Sequence, residues 1–208
     1  MVLKLPIARL MKIPRYSSRL KVPIGFLIIL LTFLIRIWES FSSAGLSSER
    51  IDWLKKIQYQ LNASFQCEYS ISVGKTRKFA TSTSGGLILI DREFLKIADK
   101  DRLFFALAHE YAHAYLQHDL RIFDPILQGK EGKLNGHSQT LVETRRRCEK
   151  EADGIAARKA KQLGFDINNI LDFILTMSDS EKGIPAELRV YSSPRDRADY
   201  VLAVYQSS

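Results

Sequence analysis

Cysteine is scarce in this sequence: Cys67 and Cys148 are the only two among 208 residues, and neither belongs to a CxxC pair. A disulfide scaffold is thereby excluded. Both cysteines read as small apolar core residues, with a single bridge between them left open. There is no internal repeat and no low-complexity tract. Apolar residues make up 46% of the chain, enough to build a packed core in one domain of ordinary size with an appendage. Charge of one sign is also missing from most of the chain, despite a formal net charge of +8. Residues 1–38 hold Lys4, Arg9, Lys12, Arg15, Arg19, Lys21 and Arg36 and no acidic group. Removing those seven from 31 basic groups leaves 24 against 23 acidic ones. A folded body so nearly neutral argues against nucleic-acid binding, which normally places basic charge on the domain itself.

An uncharged apolar run of 20 residues is lacking too. Val22–Ile35 is apolar for 14 residues, and Arg36, Ile37 and Trp38 extend it to 17 if the arginine snorkels. With basic residues before it and Glu39 after it, segment 22–38 is expected to be a single-pass membrane anchor behind a basic segment 1–21, with the N-terminus cytoplasmic and domain 45–208 on the far side. A signal peptide cleaved near Ala44, a mitochondrial presequence and a buried helix are the alternatives. Asn62-Ala63-Ser64 fits a glycosylation sequon, a triplet of little weight.

What is present beyond residue 45 predicts an α+β domain, mainly helical. Ser47 and Ser48 suit a helix start, with Ile51, Leu54, Ile57 and Leu61 at helical spacing. Cys67–Val73 alternates as a strand. Further strands are expected at Arg77–Ser82 and Leu87–Ile90, forming a small antiparallel sheet. Asp99 or Asp101 caps an apolar helix containing LFFALAHEYAHAYLQH. Residues 120–137 read as a loop. A long helix starting near Ser138 runs to a stop at Gly164, a helix follows Asp166, and Ser193-Pro194 opens the last.

The chemistry concentrates in HEYAH. His109 and His113 stand four residues apart, so on a helix both imidazoles leave one face and can share a tetrahedral zinc. Zinc acidifies an attacking water, and Glu110 lies where its carboxylate can take the proton and later pass it to a leaving amine. A buried helix seldom carries two histidines and a glutamate that neither pair nor ligate. A third ligand is needed. His118 is disfavoured: on a continuous helix it points about half a turn away from His109, and it is expected to make a polar contact at the helix end. Glu149 is the better candidate. It lies in CEKEADGIAA with Asp153 four residues on, while Ala152, Gly154, Ala156 and Ala157 permit close approach to the HEYAH helix. Asp153 would hydrogen-bond the free ring nitrogen of a ligand histidine. Glu151 points nearly opposite and is expected to be solvated. An exposed acidic face with ion pairs along the helix is the alternative for Glu149 and Asp153.

These segments resemble the zinc metallopeptidases of family forty-eight, which include HtpX-like heat-shock proteases, CAAX prenyl proteases and mitochondrial Oma-type proteases. The similarity spans about residues 68–203. LFFALAHEYAHAYLQH is similar to the family's HExxHxxxxH helix, whose last histidine falls on His118. EKEADGIAARKAKQLGFD is similar to its ExxxD helix, whose first acid is the third zinc ligand, here Glu149, and whose last is Asp153. FATSTSGGLILIDREFL is similar to the glycine-containing strand before the active-site helix. The resemblance implies a zincin-like domain with one Zn2+ per chain, and an exposed edge formed by Gly86, Leu87, Ile88, Leu89 and Ile90 that pairs with an extended protein or peptide substrate. It also implies an endopeptidase of extended or unfolded segments, with membrane or envelope protein quality control as a setting. The departures are Ala112 for a glycine, Arg77-Lys78 for an Asn-Ala pair, and Ser193 where the family has a histidine before proline. They leave Arg197, Arg195 and Tyr191 as candidates for stabilising the oxyanion. A zinc-containing module that binds peptides without cutting them is the competing function, and Glu110 argues against it. A structural zinc would need four protein ligands, where three are assignable.

Overall fold

The computed structural model describes residues 45–76, 78–127, 139–177, 189–191 and 193–208. The chain divides into two units, Met1–Ser40 and Phe41–Ser208, and all that follows belongs to the second.

The architecture grows from one helix. Helix α3 (Lys100–Tyr115), capped by the Asp99 carboxylate on the Arg102 N–H, is buried at Leu103–His109 without a break, and again at Tyr111, Ala112 and Ala114. A helix apolar on nearly every side must be surrounded by other elements. Helix α1 (Ser48–Phe65) covers it with Leu54, Ile57, Leu61 and Phe65. The long helix α5 (Gln139–Leu163) lays the fully buried Ala152, Ala156 and Ala160 into the same core. Helix α6 (Ile167–Thr176) contributes Ile170, Phe173 and Ile174. The last helix, α7 (Pro194–Ser207), opens with proline in its first turn, as the sequence indicates, and buries Ala198 and Val201. The short helix α2 (Arg92–Ile97) follows the sheet directly, and Asp91 caps it by accepting from Glu93 and Phe94.

Three strands, β1 (Ser70–Gly74), β2 (Ala80–Ser82) and β3 (Leu87–Asp91), form the sheet in the order β1-β3-β2. The α+β, mainly helical class holds, but the sheet is mixed rather than antiparallel. β3 runs antiparallel to β2 and parallel to β1, with Ile71 opposite Ile88. The reason is that the β2–β3 hairpin turns tightly through residues 83–86 while β1 joins from the other side. Gly86 has φ +77, and a Cβ there would stand 2.3 Å from the Tyr69 ring, so this join requires glycine.

Two further expectations are corrected. Residues 120–127, expected within a loop, belong to helix α4 (His118–Leu127). Asn62, in the sequon of little weight, is half-buried, and its side chain ties α1 to Tyr69 and to Tyr111 of α3. Its Oδ1 accepts from the Tyr69 N–H at 3.0 Å and the Tyr111 hydroxyl at 2.9 Å, while its Nδ2 donates to the Tyr69 carbonyl at 3.1 Å. The single-pass membrane placement is not supported: among the described residues no helix is long and apolar enough to cross a membrane. Segment 22–38, on which that expectation rested, lies outside the described residues, as do Ala44 and the basic segment 1–21.

Candidate metal centre

Helices α3 and α5 pack against each other more extensively than any other pair, and the small side chains of α5 permit it. Gly154 is the exception, since a Cβ there would meet the Tyr200 hydroxyl of α7 at 2.7 Å rather than α3. Where the two helices meet, His109, His113 and Glu149 converge on one point. Nε2 of His109 and Nε2 of His113 lie 2.9 Å apart, and Oε2 of Glu149 stands 3.3 Å from the first and 3.6 Å from the second. A tetrahedral ion with bonds of about 2.0–2.1 Å sets its ligand atoms about 3.3–3.4 Å apart. The triangle brackets that spacing, so two imidazoles and a carboxylate fit an ion of this kind.

The electrostatics agree. Burial pulls the His109 imidazole down, but the charge and hydrogen bond of Asp153, joined by Glu149, outweigh it and carry the group up to about 9. Burial pushes the Glu149 carboxyl up, yet its contacts with His109 and His113 hold it well below the usual carboxylate range. A field that retains a proton on a buried imidazole is also one that favours a cation.

Asp153 takes its expected place. Its Oδ1 accepts from His109 Nδ1 at 2.8 Å on the side away from the triangle. Arg197 was a candidate for the oxyanion; the structure instead turns its guanidinium onto Asp153. Nε donates to Oδ2 and Nη2 to Oδ1, both at 2.6 Å, and Nη1 reaches Met177 Sδ at 3.3 Å. Tyr191 lies on the cleft wall, where its hydroxyl accepts from Lys78 Nζ at 3.1 Å.

Glu110 follows His109 on α3, and its Oε2 accepts from the Ser82 hydroxyl of β2 at 2.7 Å. Ser82 escaped the sequence reading, since nothing in FATSTS distinguishes the hydroxyl that meets α3 from its neighbours, and Lys78 was read there only as a departure from the family pattern. His118 does not join the three converging ligand-type atoms, and it is not a simple end contact either. It is 1% exposed, and its Nδ1 lies 2.9 Å from His113 Nδ1. Burial and the neighbouring His113 hold its imidazole down to about 4, so it is neutral at physiological pH. Glu151, expected to be solvated, accepts from His118 Nε2 at 3.2 Å and from Arg121 Nη1 at 2.7 Å.

The expected substrate edge needs correction. Leu87–Ile90 lies in β3, the central strand, whose backbone pairs on both sides, and Gly86 is taken up by the Tyr69 join. The edge beside α3 is β2. The Asp91 N–H donates to the Phe79 carbonyl and the Thr83 N–H to the Leu87 carbonyl, so residues 79, 81 and 83 direct their backbone groups at β3. The alternation then turns the N–H and C=O of Ala80 and Ser82 outward. They face a cleft of about 650 Å³ that also contains His109, Glu110, His113 and Glu149.

No family model matches the chain, and no curated protein matches it.

Proposed function

We propose that this chain is a zinc-dependent endopeptidase that hydrolyses peptide bonds in extended or unfolded protein segments, with one zinc held by His109, His113 and Glu149. The observation that carries the reading is the triangle of two Nε2 atoms and one Oε2 at 2.9–3.6 Å, beside a glutamate that is not part of it. Zinc bound there would supply Lewis acidity to a peptide carbonyl and to an attacking water. Glu110 takes the proton of that water on its carboxylate and delivers it to the leaving amine. Ser82, donating to Oε2, fixes the plane of that carboxylate. Tyr191 and Lys78, paired on the cleft wall, would offer hydrogen bonds to the carbonyl oxygen as it gains charge. The substrate lies as an added strand against Ala80 and Ser82, a contact that reads backbone rather than side chains and so favours segments free of their own structure. The helix with two histidines, the acid from a following helix and the strand alongside support a zincin-like arrangement and the resemblance to family forty-eight.

The test combines metal content with cleavage. Native protein is expected to hold about one zinc per chain and to cleave casein. Glu149→Ala should lose or weaken the metal. Glu110→Gln should keep it while cleavage falls by two orders of magnitude or more, on the scale of lost general-base catalysis of about 10²–10⁴-fold. Zinc without cleavage that depends on Glu110 would favour the module that binds without cutting. No zinc in folded native protein would sink the reading.

A further inference from the structure

Each ligand histidine has a second ring nitrogen, and the protein supports the two rings differently. His109 Nδ1 faces a carboxylate, Asp153, at 2.8 Å. His113 Nδ1 faces a second imidazole, His118, at 2.9 Å. This step rests on the zinc reading above. When Nε2 of His113 serves the ion, the ring proton sits on Nδ1 and needs an acceptor. His118 Nδ1 can accept it only if His118 carries its own proton on Nε2. That proton in turn meets Glu151 Oε2 at 3.2 Å, and Arg121 balances the Glu151 charge at 2.7 Å. Every donor along this path finds an acceptor. With the proton on His118 Nδ1 instead, two N–H groups would face each other at 2.9 Å and Glu151 would receive nothing from the ring.

We propose that His118 is a positioning residue: its Nδ1 accepts the Nδ1–H of His113 and so fixes the tautomer and plane of the second metal ligand. The backbone is bent to make this contact. Helix α3 stops at Tyr115, and Gln117 adopts φ 52, a left-handed conformation that residues with side chains seldom take. That reversal starts α4 and sets the His118 ring against His113, with planes at 82° and centroids 4.8 Å apart. An uninterrupted helix would carry His118 away from the site, so this unusual conformation is tied to the histidine pair.

The test measures zinc affinity by competition with a chromophoric chelator, for native protein, His118→Phe and His118→Asn. Phenylalanine cannot accept a hydrogen bond, whereas the asparagine Oδ1 stands near the place of Nδ1. His118→Phe is expected to bind about 10–100-fold more weakly, and His118→Asn to stay within about threefold of native. The visible spectrum of the cobalt-substituted protein should change in the first variant and stay close to native in the second. In zinc-loaded native protein, nitrogen-resolved NMR should place protons on His113 Nδ1 and His118 Nε2. A folded His118→Phe that binds zinc as tightly as native overturns the inference while leaving the peptidase reading intact. A proton found on His118 Nδ1 does the same, and decides the matter if the phenylalanine variant does not fold. Native protein that takes up no zinc overturns both.

Discussion

His109 shows how much one side chain carries here. Asp153 and Glu149 surround its ring with negative charge, and Arg197 holds Asp153 in place from behind. In the metal-free protein this raises the imidazole from 6.5 to about 9. A proton held more tightly in the folded chain than in the unfolded one stabilises the fold. The contribution is complete below pH 6.5 and is lost as pH rises through about 9. Metal-free protein is therefore expected to melt at a falling temperature between those limits. Zinc competes for the same nitrogen, so its affinity should rise over that interval. Melting curves at matched pH, with and without zinc, should diverge as pH increases. Parallel curves would show that His109 does not sit in the field described.

At the scale of elements, the join between β1 and β3 depends on an absent side chain. Gly86 combines φ +77 with a Cβ position 2.3 Å from the Tyr69 ring. Gly86→Ala is expected to destabilise the domain by about 1–3 kcal/mol, the usual cost of a strained backbone position. Tyr69→Ala should be costly alone but should add less than its full effect to Gly86→Ala, because removing the ring relieves the clash that the alanine creates. Urea denaturation of the two variants and the pair measures this, and strict additivity would refute the contact. Four helix starts were legible in the sequence because a cap is local chemistry: Ser47, Asp99, Asp166 and Ser193 all accept from the first turn they precede. So were His109, His113, Glu149 and Asp153, because four-residue spacing on a helix fixes a shared face. Strand order was not legible. Alternation reports which residues share a face, not which strand lies in the middle, so Leu87–Ile90 read as an edge and Ala80–Ser82 did not. Helix α4 was hidden behind Pro125 and the glycines that follow. The approach of His118 to His113 was hidden because it depends on Gln117 leaving the helix, which no residue of AYLQHD announces.

At the scale of the whole domain, an ion bound as proposed would be a structural link as well as a chemical one. Two of the proposed ligands come from α3 and one from α5, and the chain between them runs through α4 and residues 128–138. An ion held by all three closes a long loop of chain and ties together the two helices that pack most extensively. Binding to the folded state alone stabilises it by about 2.7 kcal/mol at free zinc one hundred times the dissociation constant. For a domain of this size that corresponds to a rise of about 5–11 °C in Tm. Glu149→Ala leaves both histidines on one helix and removes the tie to α5. If its dissociation constant rises a hundredfold, the gain at the same zinc concentration falls to about 0.4 kcal/mol, or about 1–2 °C. Calorimetry of native protein and Glu149→Ala, each with zinc and with chelator, measures both shifts. Equal shifts would mean that Glu149 does not hold the ion and that α5 is joined to α3 by packing alone.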